Sequence, residues 1–176
     1  MFRPASQSDV DAVADGYEAL LIEEEKNGTR TNWVRGLYPT RRTAVHAVEK
    51  GWLYVWEDTD IVASVIFNQF QAPEYKKIAW SYVVNAEEVY VLHTLCIPPA
   101  YERKGYGTKL VHAAEVEAKK AGASAIRMDT WEGNEPARAF YEGLGYRYAG
   151  SYPSLLEGVI EEVLVFYEKS LIEKSV

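Results

Sequence analysis

The chain has 176 residues, 48% of them hydrophobic and 26% charged, which fits one ordinary α/β-sized domain with a substantial core over 1–176. Its formal net charge of −7 argues against a general nucleic-acid-binding protein, which needs a basic face. The single cysteine, Cys96, excludes an internal disulfide and suits a reducing cytoplasm. The N-terminal residues carry no basic-then-apolar targeting pattern, and no apolar run approaches a membrane span.

The first residues read as a short extended start ended by Pro4. Ser8 is expected to cap a helix along which Val10, Val13, Tyr17, Leu20 and Leu21 recur at helical spacing. The acidic run 23–25 reads as its solvated end, and Gly28 as its stop. An irregular stretch, 29–39, holds Trp33, Leu37 and Tyr38. Thr40 then caps a second helix with a stripe of Ala44, Val45 and Val48, ended by Gly51. Residues 52–56 and 61–69 read as the arms of a hairpin. The stretch 70–87 has no clear pattern, although 80–84 could add a strand.

Residues 89–97 are apolar at nearly every position, which predicts a central strand covered on both faces. After it come Pro98, Pro99 and the run Arg103-Lys104-Gly105-Tyr106-Gly107-Thr108, then a helix over 108–121 with Leu110, Val111, Ala114 and Ala118 inside. A strand, a curled glycine-containing loop and a helix start together make an anion site. Gly105 and Gly107 let the backbone approach a ligand, and the unpaired N–H groups and dipole of the helix end favour a phosphate. Arg103, Lys104 and Lys109 add local positive charge to an otherwise acidic chain. A strand over 125–130, a helix capped by Asn134 with Ala139, Phe140 and Leu144 inside, and two strands over 146–151 and 159–168 complete the order β-α-α-β-β-β-α-β-α-β-β.

The run Leu95-Cys96-Ile97-Pro98-Pro99-Ala100-Tyr101-Glu102-Arg103-Lys104-Gly105-Tyr106-Gly107 resembles the acetyl-CoA-binding motif of the GNAT superfamily of N-acetyltransferases. The block from Asn134 through Ala137, Tyr141 and Gly145-Tyr146 is similar to a second motif of that family at the family's spacing. The first loop position is Glu102, where the family usually has Gln or Arg. The resemblance implies an α/β GNAT fold as a single domain, with a mixed central sheet of about six to seven strands and helices on both faces. It implies acetyl-CoA as co-substrate, no metal, and a primary amine as acceptor, whether small molecule, polyamine or peptide, with direct acetyl transfer. A non-catalytic CoA-binding module, or an enzyme using another acyl-CoA, are the alternatives. Homodimers are common in the family. No nucleic-acid or membrane partner is expected.

The same resemblance distributes roles. The pyrophosphate would rest on the N–H groups from Arg103 through Lys104, Gly105, Tyr106 and Gly107 to Thr108. Leu95, Cys96 and Ile97 would run beside the pantetheine arm, and Asn134 would touch CoA. Tyr141 would protonate the departing thiolate. His93 is the only ionisable side chain in its strand; some members carry a histidine there that helps remove the amine's proton. A buried neutral histidine serving only the fold is the plainer reading. Asp129 falls where other members place a carboxylate base. Cys96 reads as a small buried hydrophobe rather than a nucleophile.

Overall fold

A computed structural model, describing residues 1–172, contains β1 (Phe2–Pro4), α1 (Val10–Asn27), α2 (Arg41–Glu49), β2 (Leu53–Glu57), β3 (Ile61–Asn68), β4 (Val89–Cys96), α3 (Tyr106–Lys120), β5 (Ala125–Trp131), α4 (Glu135–Gly143), β6 (Arg147–Leu156) and β7 (Ile160–Ser170). The element order is the expected one. The strands form a mixed seven-stranded sheet in the order β1-β2-β3-β4-β5-β7-β6. The β4–β5 pair is parallel, whereas β1–β2, β2–β3, β5–β7 and β6–β7 are antiparallel. Two compact units divide the chain. The first comprises Met1–Thr29, Trp33–Phe67 and His93–Ala114; the second comprises Arg30–Asn32, Asn68–Leu92 and the chain from Glu115.

In the first unit, Val10, Val13, Tyr17, Leu20, Ala44, Ala47, Leu53, Val55 and Cys96 share one core. Helix α1 begins after a single 3₁₀ turn, Gln7–Asp9, and the cap is Ser6 rather than Ser8. Both the Ser6 N–H and its hydroxyl donate to Asp9, at 2.7 and 2.9 Å. The Arg3 guanidinium grips the same carboxylate at 2.8 and 2.9 Å. That fork-to-carboxylate pairing fixes where the helix starts. Glu24, expected in solvent, is buried. Helical spacing puts it on the face of Tyr17, Leu20 and Leu21, and the Thr29 hydroxyl donates to it at 3.2 Å. Gly16 allows a close approach: a Cβ there would lie 3.0 Å from Pro98 Cγ, so the motif's proline rests directly on α1. Thr40 caps α2 as expected, but the buried residues are Ala44 and Ala47, with Val45 and Val48 only half-buried.

The core of the second unit gathers Tyr75, Ile78, Val89, Val91, Ala125 and Phe166. The additional strand that 80–84 could have formed is absent from the described residues. The backbone there is satisfied by side chains instead: the N–H groups of Ser81 and Tyr82 donate to the buried Glu168 carboxylate at 2.6 and 3.3 Å. The Tyr82 carbonyl accepts from Arg127 at 3.1 Å, and that guanidinium lies 4.0 Å from the Trp80 ring centre. A segment held this way has no need of a ladder partner. In α4, Asn134 accepts from the Ala137 N–H at 3.2 Å, the cap its sequence position predicted. Ala139, expected inside, is exposed; the apolar stripe runs through Ala137, Tyr141 and Leu144, and Tyr141 is its buried residue.

Candidate active site

The first unit holds the motif loop and the end of β4. Burial along β4 alternates from Val89 to Val91, then slips one residue at Leu92 and resumes through Thr94 and Cys96. Such a slip is what a bulge does to a strand. Thr94 carries it with φ at 48°, a left-handed value that costs a β-branched residue roughly 1–2 kcal/mol. The Tyr38 hydroxyl shares a hydrogen bond with the Thr94 hydroxyl and holds it there. The parallel register with β5 ends at the slip, at Leu92↔Met128. His93, Leu95 and Ile97 are half-buried, and Cys96 is 1% exposed. Burial, with the carboxylates of Glu102 and Glu24 nearby, pushes the Cys96 thiol far above its ordinary range, so it stays protonated and unreactive.

Beyond Pro98 a 3₁₀ turn, Pro99–Tyr101, leads into a loop with two left-handed residues, Arg103 at φ 60° and Gly105 at φ 80°. The Lys109 N–H donates to the Gly105 carbonyl at 3.1 Å, which starts α3. By helix geometry the N–H groups from Gly105 to Thr108 then point out of the N-terminal end. A Cβ built on Gly105 meets nothing within 4 Å, so the curl opens onto space. Several side chains here turn to other tasks. Tyr106 and Tyr101 donate to Asp58 at 2.7 Å and Asp60 at 3.2 Å, tying the loop to the β2–β3 turn. Lys104 donates to the Ala100 carbonyl at 2.8 Å, and Lys109 lies over the Tyr106 ring. The cradle is therefore backbone, with exposed Arg103 as its nearest unengaged cation among the described residues. This donor set fits a pyrophosphate.

The second unit holds Asp129, Asn134 and Tyr141. Tyr141 is 5% exposed and packs edge-on against Phe140 and Tyr146. Burial, with the Asp129 charge behind it, raises its phenol well above the ordinary value, so it holds its proton at neutral pH. Burial pushes the Asp129 carboxyl up to about 6, with Glu74 adding to the rise and a hydrogen bond from Tyr75 opposing it. Tyr75 donates that bond to Oδ2 at 2.6 Å. Beside this group lies an open cleft of about 720 Å³ whose lining includes Glu74, Glu132, Glu161, Glu162 and Trp131, with no basic side chain. Glu162 accepts from Asn32 at 2.9 Å, and burial raises its carboxyl above the ordinary range. Ser154 donates to Glu74 at 2.9 Å. Trp131 lies over Gly133, where a Cβ would come within 2.3 Å of the indole.

Comparison with known proteins matches residues 18–146, well over half of the chain, to the acetyltransferase (GNAT) family. The chain belongs to the GNAT acetyltransferase family. The uncharacterized N-acetyltransferase YhfO of Bacillus subtilis (strain 168) is 35% identical to this GNAT chain over 63 residues, 36% of this chain and 42% of YhfO. The chain spans less than half the length of the curated relatives it matches. Among solved structures, a GNAT-family acetyltransferase of Streptococcus agalactiae 2603 superposes with a TM-score of 0.81 at 21% identity, covering 99% of this chain and 96% of the other. YncA of Salmonella typhimurium, solved with its cofactor acetyl-CoA, gives 0.69 at 17% identity, over 100% and 96%. Both carry the same fold.

Reading the GNAT motifs alone misses several residues of this site. Tyr75 and Glu74 lie in the stretch without a readable pattern, and Asn32 and Glu162 meet across 130 positions of sequence. Thr94 is hidden because its strand is apolar at nearly every position, so no alternation marks the slip. Among the described residues no group of three or more His, Cys, Asp or Glu is arranged to hold a metal, and no helix is long and apolar enough to cross a membrane.

Proposed function

We propose that this GNAT chain acts over 1–176 as one N-acetyltransferase domain, moving an acetyl group from acetyl-CoA directly to a primary amine. The observation that carries this reading is the Asp129–Tyr141 pair, a carboxyl pushed up to about 6 beside a phenol held protonated. A carboxyl that titrates near neutrality can take a proton and a phenol that keeps its own can give one, which are the two tasks of acid–base chemistry near neutral pH. A module that merely bound CoA has no need of them.

Acetyl-CoA supplies an activated thioester. The N–H groups from Arg103 to Thr108 hold its pyrophosphate, with Arg103 adding charge, and the backbone of Leu95, Cys96 and Ile97 lines its arm. Asn134, besides capping α4, contributes a polar contact to the same ligand. Asp129 takes the proton that an alkylammonium must lose before its lone pair can attack. Tyr141 gives a proton to the sulfur as the C–S bond breaks, and regains one from the second proton that the attacking nitrogen sheds as the amide forms. His93, half-buried on the bulged part of β4, is the second candidate for carrying the amine's proton away.

The acidic cleft supports a cationic acceptor. Its volume of about 720 Å³ lies within the range of small-molecule sites, and its carboxylates and indole suit an ammonium group. The test is thiol release from acetyl-CoA over a panel of amines, alongside calorimetric titration with acetyl-CoA. We expect turnover with di- and polyamines and less with amino acids, whose carboxylate meets the glutamates. Binding without thiol release from any amine would overturn the enzymatic reading, and no binding at millimolar acetyl-CoA would overturn the donor.

A further inference from the structure

We propose that Tyr75 is a positioning residue that fixes the Asp129 carboxylate in one orientation and holds it in its charged form for the amine. The proposal rests on the reading of Asp129 as the proton acceptor. Tyr75 comes from the 3₁₀ segment Pro73–Lys77, in the part of the sequence where no pattern points to function. It is 2% exposed, and its ring is stacked on Trp80 and edge-on to Phe166. Packing on two sides leaves the ring no other rotamer, so the hydroxyl is delivered to one place. That place is Asp129 Oδ2, at 2.6 Å. Burial keeps the phenol protonated, so it acts only as donor.

The consequence is a division of labour between the two carboxylate oxygens. Oδ2 is occupied by Tyr75, and Asp129 makes no other side-chain hydrogen bond among the described residues. Oδ1 remains to receive the proton: one N–H bond of the alkylammonium breaks, one O–H bond forms, and the amine is left neutral. The phenol moves no proton. Hydrogen bonding to a carboxylate favours its charged form, so Tyr75 works against burial and against like charge. The groups around Asp129 are Tyr75 and Glu74 from the 3₁₀ segment, Tyr141 from α4 and Glu162 from β7, with Arg127 near Tyr75 on β5 itself. Two of these are carboxylates, and Tyr75 is the donor that offsets them.

The experiment is a ¹³C-carboxyl NMR titration of Asp129 in the full chain, for the wild type, Tyr75→Phe and Glu74→Gln. Tyr75→Phe keeps both ring contacts and removes only the donor. The wild-type carboxyl is expected to titrate near 6. Tyr75→Phe should raise that midpoint by about one pH unit, and Glu74→Gln should lower it by a few tenths. General damage to the fold does not give opposite signs. A midpoint in Tyr75→Phe that stays at the wild-type value overturns the proposal, as does one that falls. With an amine found by the panel, the acid limb of kcat/KM should move upward with the midpoint while the KM for acetyl-CoA stays unchanged. If Asp129→Asn leaves the limb in place, the assignment of Asp129 as proton acceptor fails. If Asp129→Asn abolishes turnover while the Tyr75→Phe limb does not move, the role of Tyr75 alone fails.

Discussion

The phosphate cradle and the carboxylate cluster are built in opposite ways. The cradle is made by consecutive residues from Pro98 to Thr108, mostly from backbone: left-handed Arg103 and Gly105, then the first N–H groups of α3. Its side chains face elsewhere, Tyr106 to Asp58 and Lys104 to Ala100. The cluster is made only of side chains, six of them from five places in the chain: Asn32, Glu74 with Tyr75, Asp129, Tyr141 and Glu162. Local backbone rules dictate the first; only the folded second unit assembles the other. The difference teaches where generality and selectivity reside. On the proposed reading, a backbone cradle would accept any ligand with a pyrophosphate, whereas side-chain carboxylates beside an indole would set the charge of the partner.

Asp129→Asn tests that division most severely. Turnover should fall by about 10²–10⁴-fold, the usual contribution of a general base, while acetyl-CoA affinity holds within about twofold. A parallel loss of CoA binding would break the comparison, because it would make the cluster part of the cradle. The same substitution should stabilise the protein. The folded carboxyl titrates at about 6 against an ordinary 3.8, so its favourable contribution is present below 3.8 and is lost as pH rises through 6. Asparagine removes that loss, so at pH 8 the variant should be more stable by about 2–3 kcal/mol in urea unfolding, and no more stable at pH 3. Tyr141→Phe should lower kcat by about 10²-fold, again with CoA affinity unchanged; wild-type turnover in that variant would remove Tyr141 from the proton path.

The same contrast explains how much the sequence disclosed. Apolar spacing located α1 through Val10, Val13, Tyr17 and Leu20, and Asn134 announced the start of α4. The curled loop and helix start within Leu95 to Gly107 were legible because their geometry is local. Of the cluster, Asp129 and Tyr141 are reached through the motifs, whereas Asn32, Glu74, Tyr75 and Glu162 stayed dark for the opposite reason. Asn32 and Glu162 are 130 positions apart, and nothing near either one marks the other. The unreadable stretch around 80–84 has the same cause: a buried carboxylate, Glu168, takes the place of a neighbouring strand for Ser81 and Tyr82. Ala139 was misplaced because Ala137, Ala139, Phe140 and Tyr141 in a nine-residue helix allow more than one stripe, and the burial of Tyr141 decides between them.

Two smaller changes sharpen the account of the cradle. Gly105→Ala places a Cβ in open space but on a left-handed residue, at a cost of roughly 1–2 kcal/mol. The loop should relax away from that conformation, and calorimetry should give acetyl-CoA binding weaker by about tenfold, with kcat at saturation little changed. Unaltered affinity would mean that the curl is not where the phosphates rest.

Glu102 stands where the resembled motif usually has Gln or Arg, and its effect should be the smallest. It follows the Pro99–Tyr101 turn and is half-buried, and its charge reaches Cys96 at the end of β4. A carboxylate there opposes an incoming pyrophosphate, but a backbone cradle does not depend on the side chain. At roughly 10 Å in water-like surroundings the repulsion is only about 0.4 kcal/mol for each of the two phosphate charges, or ~4-fold in affinity for both. Glu102→Gln should therefore tighten acetyl-CoA by about that factor in low salt, and the gain should shrink at 0.5 M salt as screening removes it. A tenfold gain would place the carboxylate against the ligand and make the cradle partly a side-chain site. A loss would mean that Glu102 holds the loop in shape, and that its charge is tolerated for that reason.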